Sequence, residues 1–382
     1  MGRNRLNSAA ALTALLAAGA LALSACSSSG GGSGGNTSAP APTSSSASGS
    51  TGGASGISCT TGTLNGSGST AQTNAMDAWR KAYQQACSGA KINYDSIGSG
   101  DGISAFTDKK ADFAGSDAAL DPKEEMPPAT KACGSPALDL PMVVGPVAIA
   151  YNLSGVNNLT LNASTIAQMF LGKIKTWNDP AIAALNKGVN LPSTAIKPFY
   201  RSDDSGTTFN FESYLKAAAP KDFTSEPNKV SSDAHFAGQG ENGSQGVADS
   251  VTQTSGGVGY MEYSYAVKAQ LPYAAIDSGS GPVQLSKDTA SKAVSTAKVV
   301  GTGDDLSLSI DYGQNTPGAY PLVLVTYEIV CTKYSDTATG TFVKDFLNYT
   351  VGSGQSILPG LGYAPIPTAL AAKVKASIAK VS

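Results

Sequence analysis

Three short turns built from glycine and hydroxyl-bearing residues hold the chemistry this chain can offer. They are Asn65-Gly66-Ser67-Gly68-Ser69-Thr70-Ala71, Gly98-Ser99-Gly100-Asp101-Gly102 and Arg201-Ser202-Asp203-Asp204-Ser205-Gly206-Thr207-Thr208. Each lies between a stretch patterned as a strand and one patterned as a helix. Such a turn aims free backbone N–H groups and a positive helix end at one point, and Ser and Thr add hydroxyl donors. The chemistry that follows is anion binding. One such turn is commonly just a helix cap; three, with an arginine among them, argue for an oxyanion site. Arg80 and Arg201 are the only arginines beyond residue 5, against 22 lysines. A guanidinium presents a fork to an oxyanion that an ammonium cannot. Arg201 could also pair with Asp203 or Asp204, and the two roles are compatible. Arg80, beside Lys81 and Gln84, reads as a solvated face.

Other chemistries find little to work with. His235 is the single histidine, so any Ser-His-Asp or Cys-His catalyst must use it and a histidine-rich metal site cannot be built. An exported hydrolase would need a nucleophile with a base or metals, and the sequence offers neither. Gly172-Lys173 is followed by Ile174, so there is no P-loop, and Ile103 stands where a G-x-G-x-x-G would need its third glycine. With 26 basic and 28 acidic residues, net charge −2, the chain lacks the field that attracts nucleic acid. No metal and no cofactor is expected.

The elements that must position the turns alternate, which argues an α/β architecture. Apolar residues at three-four spacing predict helices over 75–87, 103–110, 164–171, 180–186, 210–219, 341–349 and 367–379. Residues 91–97 and 112–115 read as strands, and the apolar runs 140–152 and 320–331 as buried strands of a mixed sheet. With 382 residues, 41% hydrophobic, the chain can bury a large core.

The N-terminus reads as an address. Arg3 and Arg5 precede a short alanine-rich apolar run that ends in Leu23-Ser24-Ala25-Cys26, the pattern of a lipoprotein signal (1–26) with Cys26 acylated. Residues 27–56 are Ser, Gly, Thr, Ala and Pro with one Asn, a disordered tether of roughly 30 Å mean reach. Export makes disulfides of Cys59, Cys87, Cys133 and Cys331 expected. Three pairings are open, and no C-x-x-C spacing suggests zinc.

The body from 57 onward resembles the phosphate-binding lipoproteins of bacterial phosphate-specific ABC transporters, in their actinobacterial form. The stretches that carry the resemblance are Gly66-Ser67-Gly68-Ser69-Thr70, Ile97-Gly98-Ser99-Gly100, Phe113-Ala114-Gly115-Ser116-Asp117-Ala118 and Arg201-Ser202-Asp203-Asp204-Ser205-Gly206-Thr207. Phe170 through Asp179 and Gly257 through Tyr263 support it. Asp204 departs from the family, where glycine is common, and brings a negative charge near the cleft mouth; Ala71 stands where some relatives carry an aromatic.

The resemblance implies a two-lobe periplasmic-binding-protein-type fold, class II-like, with a hinge and central cleft. Lobe one would be 57–141 plus 320–382 and lobe two 142–319, with crossings near Leu140-Pro141 and Tyr320-Pro321. It implies a phosphate shell of Ser69, Thr70, Ala71, Ser99, Asp117, Arg201, Ser205, Gly206 and Thr207, with Asp203 orienting Arg201. Asp117 would accept the proton that phosphate carries and sulfate lacks, which separates the two anions. On bare sequence, Asp117 could instead cap a helix over 118–123. Placing all four cysteines in lobe one suggests the pairs Cys87–Cys133 and Cys59–Cys331. The partners implied are inorganic phosphate and the permease subunits of an ABC importer. The chain would be a monomer, held on the extracytoplasmic face of the cell membrane by its lipid anchor. The competing readings are a binding protein for sulfate or molybdate, or a surface adhesin.

Overall fold

Ala137–Tyr151 is buried at all fifteen positions, and this one strand organises the molecule. Apolar side chains on both faces of an extended run require a covered position in mid-sheet. The computed structural model describes residues 56–230 and 234–382. The signal segment, Cys26 and all but the last residue of the tether lie outside them.

Eight strands form the main sheet: β1 (Gly62–Gly68), β2 (Ala90–Ser96), β3 (Phe113–Ser116), β4 (Ala137–Tyr151), β5 (Lys197–Arg201), β6 (Gln239–Glu241), β7 (Gly257–Glu262) and β8 (Val323–Cys331). Their order is β2-β1-β3-β8-β4-β7-β5-β6. β1 runs parallel to β2 and β3, whereas β8 is antiparallel to β3 and β4. Beyond β4, β7 is antiparallel to it and β5 and β6 continue parallel. The sheet is mixed, as the apolar runs suggest. β4 changes partner midway: Ala137 to Pro146 pair with β8, and Val147 to Tyr151 with β7. Leu140 and Pro141 lie inside the β8 pairing.

The helices are α1 (Thr73–Ala86), α2 (Ser99–Thr107), α3 (Met126–Cys133), α4 (Ala163–Phe170), α5 (Pro180–Leu185), α6 (Gly206–Ala218), α7 (Gly243–Gln253), α8 (Tyr263–Lys268), α9 (Lys287–Val294), α10 (Thr337–Val351) and α11 (Thr368–Ile378). α2 and α6 start earlier than apolar spacing suggests. Their first residues, Ser99-Gly100 and Gly206-Thr207, are the small-residue turns themselves wound into the first helical turn. α1 buries Ala75, Met76, Trp79 and Tyr83 against the sheet, the stripe its spacing foretells. α3, α7, α8 and α9 are additions to the expected set. No helix forms over 118–123, so Asp117 caps none. Among the described residues, no helix is long and apolar enough to cross a membrane.

The disulfides correct the expected pairing. Cys59 joins Cys87 and Cys133 joins Cys331, with Cα atoms 5.3 and 5.4 Å apart; Cys87–Cys133 and Cys59–Cys331 do not form. The sheet register explains this. Gly62 lies beside Ala90 in the parallel β1–β2 pair, so the residues three positions ahead of each, Cys59 and Cys87, meet at the same end. Cys331 pairs with Ala137 at the end of the β8–β4 ladder, next to the end of α3 where Cys133 sits.

Candidate functional site

The three turns converge, and a fourth helix start joins them. α1 and α2 follow β1 and β2, and α6 follows β5, which runs opposite to them across the sheet, so the helix N-termini of the two halves face one another. α7 follows β6 and brings Ser244 to the same place.

Asp117, at the end of β3, lies at the centre and is 2% exposed. Its Oδ1 accepts from the Ser69 hydroxyl at 2.6 Å and the Thr326 hydroxyl at 2.8 Å, and its Oδ2 from the Thr207 hydroxyl at 2.9 Å. Its own N–H donates to Ser99 Oγ at 3.2 Å, and its carbonyl accepts from Asn210 Nδ2 at 2.7 Å. Burial pushes the carboxyl pKa up, while the three hydroxyls and Arg201 pull it back. A carboxylate so surrounded has spent most of its acceptor capacity on fixed donors, leaving room for one more donor to arrive.

Arg201 ends β5 and is 1% exposed. Asp203 takes its Nε–H at 2.7 Å and its Nη2–H in a fork-to-fork pair. Nη1 is turned toward Ser244 Oγ at 3.3 Å and Thr207 Oγ1 at 3.5 Å. The Arg201 backbone N–H donates to Tyr260 Oη at 3.1 Å, which locks the strand end. Asp203 also receives the Gly243 N–H at 3.1 Å, tying the guanidinium to the start of α7.

The remaining expected residues take defined places. The Ala71 N–H donates to Ser69 Oγ at 3.0 Å. Thr70 Oγ1 lies 3.0 Å from Ser244 Oγ and accepts the Ser244 N–H at 3.1 Å. Ser205 caps α6, its hydroxyl taking the Thr208 N–H at 3.2 Å. A Cβ on Gly206 would lie 2.6 Å from Ser99 Oγ and 2.8 Å from Asp117 Cβ, so only glycine permits this approach. Asp204 lies in the notch of Gly100, where a Cβ would come within 2.0 Å of its Cγ. Burial pushes its carboxyl up, and Lys229 pulls it back.

Ser244, Thr326 and Asn210 join the site without having been singled out in the sequence. Asn242-Gly243-Ser244 ahead of α7 carries the same Gly/Ser signature as the other turns, and that signal was there to find. Thr326 sits in an apolar run and gives no local sign. Among the described residues, no cluster of His, Cys, Asp and Glu could hold a metal. The arrangement is a set of backbone and hydroxyl donors around a buried guanidinium, with one carboxylate acceptor among them. It can hold a tetrahedral oxyanion and test it for a proton.

Comparison with known proteins agrees. A family model described as a PBP superfamily domain matches residues 53–353. The phosphate-binding protein PstS 3 of Mycobacterium tuberculosis is 43% identical over 320 residues, 83% of this chain and 86% of the relative. The phosphate-binding protein PstS 2 of the same organism is 42% identical over 324 residues, 84% and 87% of the two chains. A solved high-affinity periplasmic phosphate-binding protein with phosphate bound has a TM-score of 0.68 at 24% identity, covers 82% of this chain and 93% of its own, and shares the fold. The chain therefore belongs to the PBP superfamily and, within it, to the phosphate-binding proteins.

Proposed function

We propose that this protein binds inorganic phosphate outside the cytoplasm and delivers it to the permease subunits of an ABC-type phosphate importer. The observation that carries the reading is Asp117, a buried carboxylate beside the Arg201–Asp203 pair and encircled by hydroxyls from Ser69, Thr207 and Thr326. At neutral pH phosphate retains at least one O–H, which an ionised Asp117 accepts. Sulfate has none and would set its lone pairs against the carboxylate, an unpaired and repelled arrangement that costs several powers of ten in affinity. The names and sequence closeness of the mycobacterial relatives support phosphate over sulfate or molybdate, and support a binding protein rather than an enzyme or an adhesin.

The ligand shell in this reading is Ser69, Thr70, Ala71, Ser99, Asp117, Arg201, Ser205, Gly206 and Thr207. Asp203 and Ser244 back the guanidinium. Residues 57–141 with 320–382 and residues 142–319 form the two lobes, with crossings near Leu140-Pro141 in β4 and at Tyr320-Pro321 ahead of β8. Ligand closes the lobes by contacting both. The chain works as a monomer, anchored to the extracytoplasmic face of the cell membrane through acylated Cys26 and the flexible tether. Calorimetric titration with phosphate and sulfate tests the reading. One phosphate per chain with micromolar or tighter affinity is expected, and no heat from sulfate; equal heats from both anions would overturn it.

A further inference from the structure

Beneath the anion site lies a second carboxyl that the binding chemistry leaves unused. Glu328 is fully buried on β8, directly opposite Gly115 of β3. Neither of its oxygens has a hydrogen-bond partner, and the amide oxygen of Gln72, also fully buried, has none either. The Gln72 amide lies beside the Glu328 carboxyl. Gly115 makes that possible: a Cβ there would come within 1.9 Å of Gln72 Nε2 and 2.4 Å of Tyr94 Oη. From this point a continuous chain leads to the site. Gln72 Nε2 donates to Tyr94 Oη at 2.9 Å, Tyr94 Oη donates to the Ser69 carbonyl at 3.0 Å, and Ser69 Oγ donates to Asp117.

We propose that Glu328 is a neutral carboxylic acid whose O–H is donated to Gln72 Oε1, completing the Glu328–Gln72–Tyr94–Ser69 chain, and that it acts as a positioning residue for phosphate. A bare carboxylate with two unmet oxygens is among the costliest groups to bury. One proton removes that cost and satisfies the orphaned amide oxygen in the same bond. The titratable groups facing Glu328 agree. Asp117, beyond β3, and Tyr94, on β2, are both negative when ionised; burial pushes the Glu328 carboxyl well above the usual range, the Gln72 amide beside it pulls it partly back, and Asp117 adds to the rise. An ionised Glu328 would also add a second negative charge beneath a site that must admit an anion. Kept neutral, it fixes the turn whose N–H groups and hydroxyls meet the ligand.

This inference rests on the phosphate reading but is tested separately from it. The infrared difference between wild type and Glu328→Gln at pH 7 reads the proton directly: a protonated-carboxyl C=O stretch present in wild type and lost in the variant is expected. Phosphate titration reads the positioning. Glu328→Gln keeps both shape and donor and should bind within about twofold of wild type, whereas Glu328→Leu deletes the donor and should bind about three- to tenfold more weakly. Absence of the band, a Gln variant as weak as the Leu variant, or a Leu variant as tight as wild type would each overturn the proposal. Should the Leu variant fail to fold, the band and the Gln variant still decide it. A wild type that takes up no phosphate would refute the phosphate reading while the band still reports on Glu328.

Discussion

Asp203 grips one edge of the Arg201 guanidinium, through Nε and Nη2, and leaves Nη1 turned toward Ser244 and Thr207. A buried arginine held along one edge cannot swing away, so its remaining donors keep a fixed direction before any ligand arrives. That preorganisation spares the entropy of ordering a long side chain on binding.

Arg201→Ala should therefore weaken phosphate by about 2–5 kcal/mol, because it removes the guanidinium and strands Asp203 as well. Arg201→Lys should not rescue it, since an ammonium cannot fill both bonds to Asp203 and still present a donor. Calorimetry on both variants decides the matter; a Lys variant near wild-type affinity would show that charge alone suffices.

Asp117→Asn should cost less affinity than Arg201→Ala and more selectivity. The amide oxygen can retain Ser69 and Thr326, while the NH2 group faces Thr207 and can donate to a proton-free oxyanion. Sulfate binding should emerge in this variant. An Asn form that excludes sulfate as strictly as wild type would place the discrimination elsewhere.

Ser244→Ala removes the hydroxyl shared by Thr70 and Arg201. The loss of one net hydrogen bond, about 0.5–1.5 kcal/mol, should appear as weaker phosphate binding together with a melting temperature lower by a few degrees in the absence of ligand.

Asp139 gives the fold a pH dependence away from the site. It is fully buried, accepts from Leu120 N–H and Ser307 Oγ, and faces Asp305; burial, with Asp305 adding to it, pushes its carboxyl up to about 7. A folded-state pKa raised above the unfolded value means that the native state holds the proton longer. The stability this supplies is complete below pH 4 and is lost as pH rises through about 7. Its ceiling is about 4 kcal/mol. Thermal melts of wild type and Asp139→Asn between pH 4 and 8 should show a flatter profile for the variant. Parallel profiles would refute the assignment.

The two disulfides should differ in weight. Cys133–Cys331 closes a separation of 198 residues and Cys59–Cys87 one of 28, so chain-entropy arithmetic gives about 5 against about 3–4 kcal/mol. Denaturant unfolding of the paired Cys→Ala variants should rank them in that order.

What the sequence made legible was local. Gly66 to Ala71, Gly98 to Gly102 and Arg201 to Thr208 announce themselves because strand, small-residue turn and helix are contiguous. Ser244 escaped because the strand ahead of it, Gln239–Glu241, is short and polar and gives no strand pattern. Thr326 and Glu328 were invisible for a different reason. Each is a polar residue in a buried strand whose neighbour on β3, Asp117 or Gly115, lies some two hundred or more positions away in the chain, and only the β3–β8 register brings them together. The cysteine pairing failed on the same ground: strand register, not lobe membership, decides which thiols meet.

The order of the cysteines along the chain has a consequence for biogenesis. The first pairs with the second and the third with the fourth. A chain emerging N-terminus first meets its partners in native order, so oxidation that keeps pace with emergence produces the correct bridges without reshuffling. Cys133, however, must wait as a free thiol until the strand that completes its half of the sheet arrives with Cys331. Over that interval, protecting one thiol from stray oxidants is the chain's demand on its folding environment, whereas the pairing expected from the sequence would have demanded a disulfide isomerase.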